Sequence, residues 1–152
     1  MKEQTALMSA ASFGHMEAAK SLVEANADLN KRCSHKDHDY KNFTALDWAL
    51  YKENQKIALF LIEKGAEVNP EKSVGEGKYK PIHLAAQRGM FAVIEKILAI
   101  DSLAALEKDK HEKDALDWTI ENDHVDTARI LAKNCVDNIK AFHNVLSKAS
   151  TE

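Results

Sequence analysis

The sequence predicts an all-α solenoid of four helix-turn-helix repeats with a C-terminal capping helix. Three observations predict it. Apolar residues recur at i, i+3 and i+4, but over stretches too short to form stable helices alone. The stretch from Thr44 to Asn69, TALDWALYKENQKIALFLIEKGAEVN, reads as two such helices followed by a stop. Variants of that stretch occur four times, with helix starts at Thr5, Thr44, Lys80 and Asp114, spaced 39, 36 and 34 residues apart.

Each element of the unit has a local cause. Thr44 is a good N-cap, because its hydroxyl can accept from a first-turn N–H. Asp47 stands where a carboxylate suits the free N–H groups of the helix start. Leu46, Ala49 and Leu50 make one apolar stripe. Glu53-Asn54 breaks the helix. Ile57, Ala58, Leu61 and Ile62 make the stripe of the second helix, and Gly65 supplies a left-handed stop. Each helix must bury its stripe against a neighbouring copy.

In chain order, the repeats span about 2–34, 41–73, 78–110 and 111–135, followed by a helix at about 137–148 and a tail at 149–152. Repeat one uses Leu7, Ala10 and Ala11, then Met16, Ala19, Leu22 and Val23. Asn26 takes the glycine position, which asparagine tolerates next best. Its outer face either serves as its own polar cap through Ser9, Ser12, Lys20 and Ser21, or belongs to a longer chain. The connector from Lys31 to Phe43 is the longest of the chain and should project from the stack without breaking it. The connector from Pro70 to Tyr79 carries Gly75 and Gly77 and should be mobile. Repeat three starts on Lys80, where the hydroxyl cap is lost, and Pro81 compensates in part at the first helical position. After Ile97 and Leu98 the helix either runs on or gives way to a short turn over Ser102–Leu106. Repeat four starts on Asp114 and carries Leu116, Trp118, Ile120, Val125, Ala128, Ile130 and Leu131. Val136, Ile139, Phe142, Val145 and Leu146 keep helical spacing, as a capping helix over the last repeat would need.

Taken together, Pro81-Ile82-His83-Leu84-Ala85-Ala86 with Gly89, and Glu63-Lys64-Gly65-Ala66-Glu67-Val68-Asn69, resemble the ankyrin repeat family. The intervals lie just above its ~33-residue period. The resemblance covers about residues 2 to 135. It implies β-turn fingers in the connectors between repeats, and a non-catalytic module, an adaptor or steric inhibitor, that binds a folded protein partner through the concave groove and finger tips. It also implies structural roles for His83, His15 and His124. A bacterial effector acting on host proteins is a variant of the same reading. Asn30 and Asn69 stand where asparaginyl hydroxylases act in the family, so the chain could also be a modification substrate.

Carried over residue by residue, the partner-binding positions are Ser12 and Phe13, Tyr51 and Lys52, Gln87 and Arg88, and Glu121 and Asn122. The fingers add Tyr40, Lys41, Phe43, Tyr79, Lys110 and Lys113. Phe13, Tyr51 and Arg88 could form one ridge, and aromatic and arginine side chains are the usual hot-spot types. The plainer reading of Phe13 and Tyr51 is packing on the neighbouring repeats. Packing is also the better reading of Trp48 and Trp118.

Composition excludes other classes. A net charge of −3 and a pI of about 6.2 argue against a nucleic-acid or membrane-surface binder, which needs a basic stripe. No apolar run approaches a membrane span. Met1-Lys2-Glu3 leads straight into repeat one, so no signal peptide is expected. Two cysteines in different repeats form no disulfide framework, which suits a cytoplasmic or nuclear protein. Cys33, His35 and His38 are a local set of soft ligands, but a structural zinc site needs four, and a solvated finger tip is the plainer reading. No nucleophile elbow or phosphate loop is present, so no catalytic residue and no cofactor is expected, and the chain is expected to be a monomer.

Overall fold

A computed structural model describes residues 4–34 and 38–150. Among these residues there are eight α-helices: α1 (Ala6–Phe13), α2 (Met16–Glu24), α3 (Ala45–Tyr51), α4 (Gln55–Glu63), α5 (Pro81–Gln87), α6 (Phe91–Ile100), α7 (Ala115–Glu121) and α8 (Val125–Ala149). They form two rows. α1, α3, α5 and α7 pack in sequence as the inner row, and α2, α4, α6 and α8 as the outer row. The expected stripes are the core: Leu46, Ala49, Leu50, Ile57, Ala58, Leu61 and Ile62 are all buried.

Capping chemistry sets the inner-row starts. Thr44 and Asp47 form a reciprocal box, with the Thr44 N–H donating to Asp47 at 2.9 Å and the Asp47 N–H donating to the Thr44 hydroxyl at 3.3 Å. Asp114 and Asp117 repeat it. At Lys80 the missing hydroxyl is replaced differently: the Lys80 N–H donates to His83 Nδ1 at 2.9 Å. That bond assigns the proton to Nε2, which donates to the Glu107 carbonyl at 2.7 Å. His83 thus ties the start of repeat three to the next finger.

The inter-helix turns need left-handed backbone at Gly14, Glu53, Gly89 and Asp123. Asn26 adopts it too, with φ 61, as its place in the repeat requires. The turns of repeats two and four are locked to the preceding repeat. Asn54 Nδ2 donates to the Ala11 and Ser12 carbonyls, and His124 Nε2 lies 3.1 Å from the Gln87 carbonyl. Asn30 and Asn69 do similar work at the repeat ends, with Asn30 Oδ1 accepting from the Glu67 N–H and Asn69 Nδ2 donating to Asp101.

Two expectations are corrected, and one open alternative is decided. The 70–79 connector is pinned, not open: Val74 and Tyr79 bridge to each other, Gly75 N–H donates to Lys41 O, and Lys110 N–H donates to Gly77 O. Its glycines permit close approach, since a Cβ on Gly75 would stand 2.6 Å from the Asp39 carbonyl. The chain after Ile100 forms a 3-10 turn, Ser102–Leu106, started by Asp101 accepting from the Leu103 N–H. The largest correction is at the C-terminus. No separate capping helix covers the stack over 137–148. No glycine or proline interrupts the run from Leu131 to Ala149, so α8 continues straight for 25 residues. Ile139, Phe142, Val145 and Leu146 are exposed, and so are Ile120 and Val125 in repeat four.

Candidate functional site

The fingers stack side by side through the two backbone bonds at Gly75 and Gly77, and this stacking builds the concave wall. Between the fingers and α3 and α5 lies a cleft of about 440 Å³. It is lined by Asp39, Tyr40, Phe43, Tyr51, Glu76, Gly77, Tyr79, Leu84, Gln87, Lys110 and His111. Three successive repeats contribute to it.

The aromatic wall is interlocked. Tyr40 stacks on Trp48 with ring centroids 5.2 Å apart and meets Tyr51 edge-on, and the two tyrosine hydroxyls are 3.2 Å apart. Phe43 stands edge-on to Tyr40 and Trp48. Burial is the main reason the Tyr79 hydroxyl is pushed above its usual range, and the nearby Asp109 charge adds to it. The buried Gln87 amide reaches toward the Tyr79 hydroxyl and partly offsets that rise. Lys110 and Glu76 sit 3.9 Å apart across neighbouring fingers.

The expected site residues divide. Tyr40, Tyr51, Tyr79, Gln87 and Lys110 line one cleft. Phe43 also lines it but is only 2 % exposed, so it is a floor and not a finger tip. Arg88 is close by, its guanidinium 5.3 Å from the Tyr51 ring centre and 3.9 Å from Glu53. Lys52 also lies over Tyr51. Phe13 is 73 % exposed and stacks on His15, outside the cleft lining. Glu121 pairs with Lys113 at 2.5 Å, and Asn122 caps its own helix through the Trp118 carbonyl. Sequence reasoning missed Asp39, Glu76 and His111. The signal for Asp39 was present: it stands nine residues before Trp48, as Asp109 does before Trp118.

Cys33 is a core residue. Its thiol donates to the Tyr40 carbonyl, and its backbone pairs with Phe43 and Asn42. That removes the sulfur from the metal alternative. His35 lies outside the described residues, as does the His38 side chain. Among the described residues no group of three or more His, Cys, Asp or Glu side chains is placed to hold a metal, and no helix is long and apolar enough to cross a membrane.

The family model described as ankyrin repeats (3 copies) matches residues 1–72. Among curated proteins, a Danio rerio protein named "Putative palmitoyltransferase ZDHHC13" is 28 % identical over 92 residues. The matched stretch is 60 % of this chain and 13 % of that protein. Residues 1–72 thus match the ankyrin repeat family, and repeats three and four stack in the same two-row register as that matched part.

Proposed function

We propose that this chain is a non-catalytic protein–protein interaction module, an adaptor or a steric inhibitor, whose partner seats in the cleft between the second, third and fourth repeats. The observation that carries the reading is the convergence of Tyr40, Tyr51 and Tyr79 from successive units around one opening. Tyrosine offers a large contact area with few rotamers to freeze and a polar tip for orientation. The Gln87 amide beside the Tyr79 hydroxyl adds a polar group to the opening, and Asp39, Glu76, Lys110 and His111 give a rim of both charge signs. Because the wall is braced by ring stacking and finger-to-finger bonds, little ordering cost is left for binding.

Transferase chemistry is not part of the proposal, since the stretch shared with the palmitoyltransferase-named protein is repeat stack. Free thiols at Cys33 and Cys135 suit a reducing compartment such as the cytoplasm. The test is affinity capture with purified chain as bait. Tyr51→Ala/Tyr79→Ala should lose a partner that wild type and Glu121→Ala/Asn122→Ala both retain, at equal helicity. A partner kept by the tyrosine double variant would sink the cleft as the site.

A further inference from the structure

The helix α8 outruns the stack it belongs to. Its first half packs on α6, α7 and the Ser102–Leu106 turn, burying Thr127 and Leu131. Its second half carries the same apolar face into solvent. Cys135, Ile139, Phe142, Leu146 and Ala149 follow one another at steps of four and three residues, the spacing of a helix-pairing seam. Beside the seam, Leu103 and Leu106 of the 3-10 turn form a groove of about 280 Å³ with Cys135, Asn138, Ile139 and Phe142. Asn138 braces that groove by donating to the Ser102 carbonyl at 3.0 Å.

We propose that this face pairs with the same face of a second copy, making an antiparallel two-fold dimer centred on Phe142. Groove and knob lie on one helix, and this makes the surface self-complementary. A two-fold axis at Phe142 sets Leu146 of one copy opposite Asn138 of the other, and Val145 opposite Ile139. The projecting end of each helix then fills the groove of its mate, and both contacts close at once, as an isologous interface requires. The area is sufficient. Leu103, Leu106, Ile139, Phe142, Val145 and Leu146 are each about half-exposed or more, and together they offer apolar area on the order of the about 800 Å² a standard interface buries on each side. The cleft of repeats two to four lies on different elements, so the dimer would display two clefts.

Sedimentation equilibrium of the 152-residue chain over micromolar to high-micromolar concentration tests this. Wild type should approach twice the 17.0 kDa monomer mass. Phe142→Glu and Leu146→Glu should each sediment as folded monomers with unchanged helicity. Phe142→Cys should give a covalent dimer on mild oxidation, because the axis brings that position against itself. A wild type that stays monomeric throughout overturns the proposal and leaves the face to another protein or to further chain. A dimer that survives both glutamate variants places the interface elsewhere and overturns it equally.

Discussion

The Trp118 indole donates to the Asp109 carboxylate at 2.9 Å, whereas the Trp48 indole, at the same place two repeats earlier, is buried with no acceptor among the described residues. The difference lies in the fingers. Asp109 folds over its own turn, its carboxylate also accepting from the His111 and Lys113 N–H groups. Asp39 is exposed, and the Tyr40 ring covers Trp48 in its stead. One finger closes on itself, and the other opens the aromatic wall.

Asp109→Ala should therefore cost about 2–4 kcal/mol in urea unfolding, since three donors lose a charged acceptor. Burial pushes the Asp109 carboxyl up, but the Lys113 N–H, the Trp118 indole and the His111 N–H outweigh it and hold it below its usual value. The folded state thus binds this proton more weakly than the unfolded chain. The contribution is full above pH 3.8 and is lost as pH falls through the folded value. A variant as stable as wild type at pH 7 would refute this role.

Asp47 has the opposite sign. Burial raises it from 3.8 to about 6, against the pull of the Thr44 N–H and hydroxyl and of Arg32. Its Oδ1 is buried without a partner. Its favourable contribution is full below pH 3.8 and is lost as pH rises through about 6. Asp47→Asn should therefore gain on wild type by about 1–3 kcal/mol between pH 4.5 and pH 7.5. A pH-independent difference between the two proteins would rule the assignment out.

His83 should show the reverse trend. Burial is the main cause of its lowered pKa, opposed by the Glu107 carbonyl and the Asp109 charge. A second proton on the ring would set N–H against the Lys80 N–H. Its contribution is full above pH 6.5 and fades as pH falls through the folded value. Wild type should therefore lose stability relative to His83→Gln between pH 7.5 and pH 5, and parallel unfolding curves at both pH values would contradict it.

The two finger glycines should fail differently. At Gly75, φ is +67 and a Cβ would meet the Asp39 backbone carbonyl, so Gly75→Ala should destabilise the stack by about 1–3 kcal/mol. At Gly77 a Cβ would meet the Tyr79 ring at 2.1 Å, and the ring can swing away. Gly77→Ala should keep helicity and most of the stability but lose partner binding. Equal stability losses in both variants would show that the Tyr79 ring cannot yield.

Leu46→Ala and Leu61→Ala should each cost about 2–5 kcal/mol by leaving a cavity between stacked repeats. A loss under about 1 kcal/mol by calorimetry or denaturant titration would refute their placement in the core.

The repeat, its register and its core are legible in the sequence alone. Stripes such as Leu46-Ala49-Leu50, caps such as Thr44 and Asp114, and the turn at Asn26 are local features, and 3.6-residue periodicity reports them directly. The family resemblance also pointed to Tyr40, Tyr51, Tyr79 and Gln87. Which of these share a cleft depends on how the repeats and fingers stack in three dimensions. Phe13, Glu121 and Asn122 hold equivalent places but belong to the end repeats. Phe43 turns inward, and the Cys33 thiol is held by a carbonyl seven residues away. Periodicity shows that a residue faces a neighbour, but not which neighbour is there. For the same reason the apolar spacing after Cys135 read as a cap folded back on the stack. With nothing to break it, the helix ran on past the last surface it could cover.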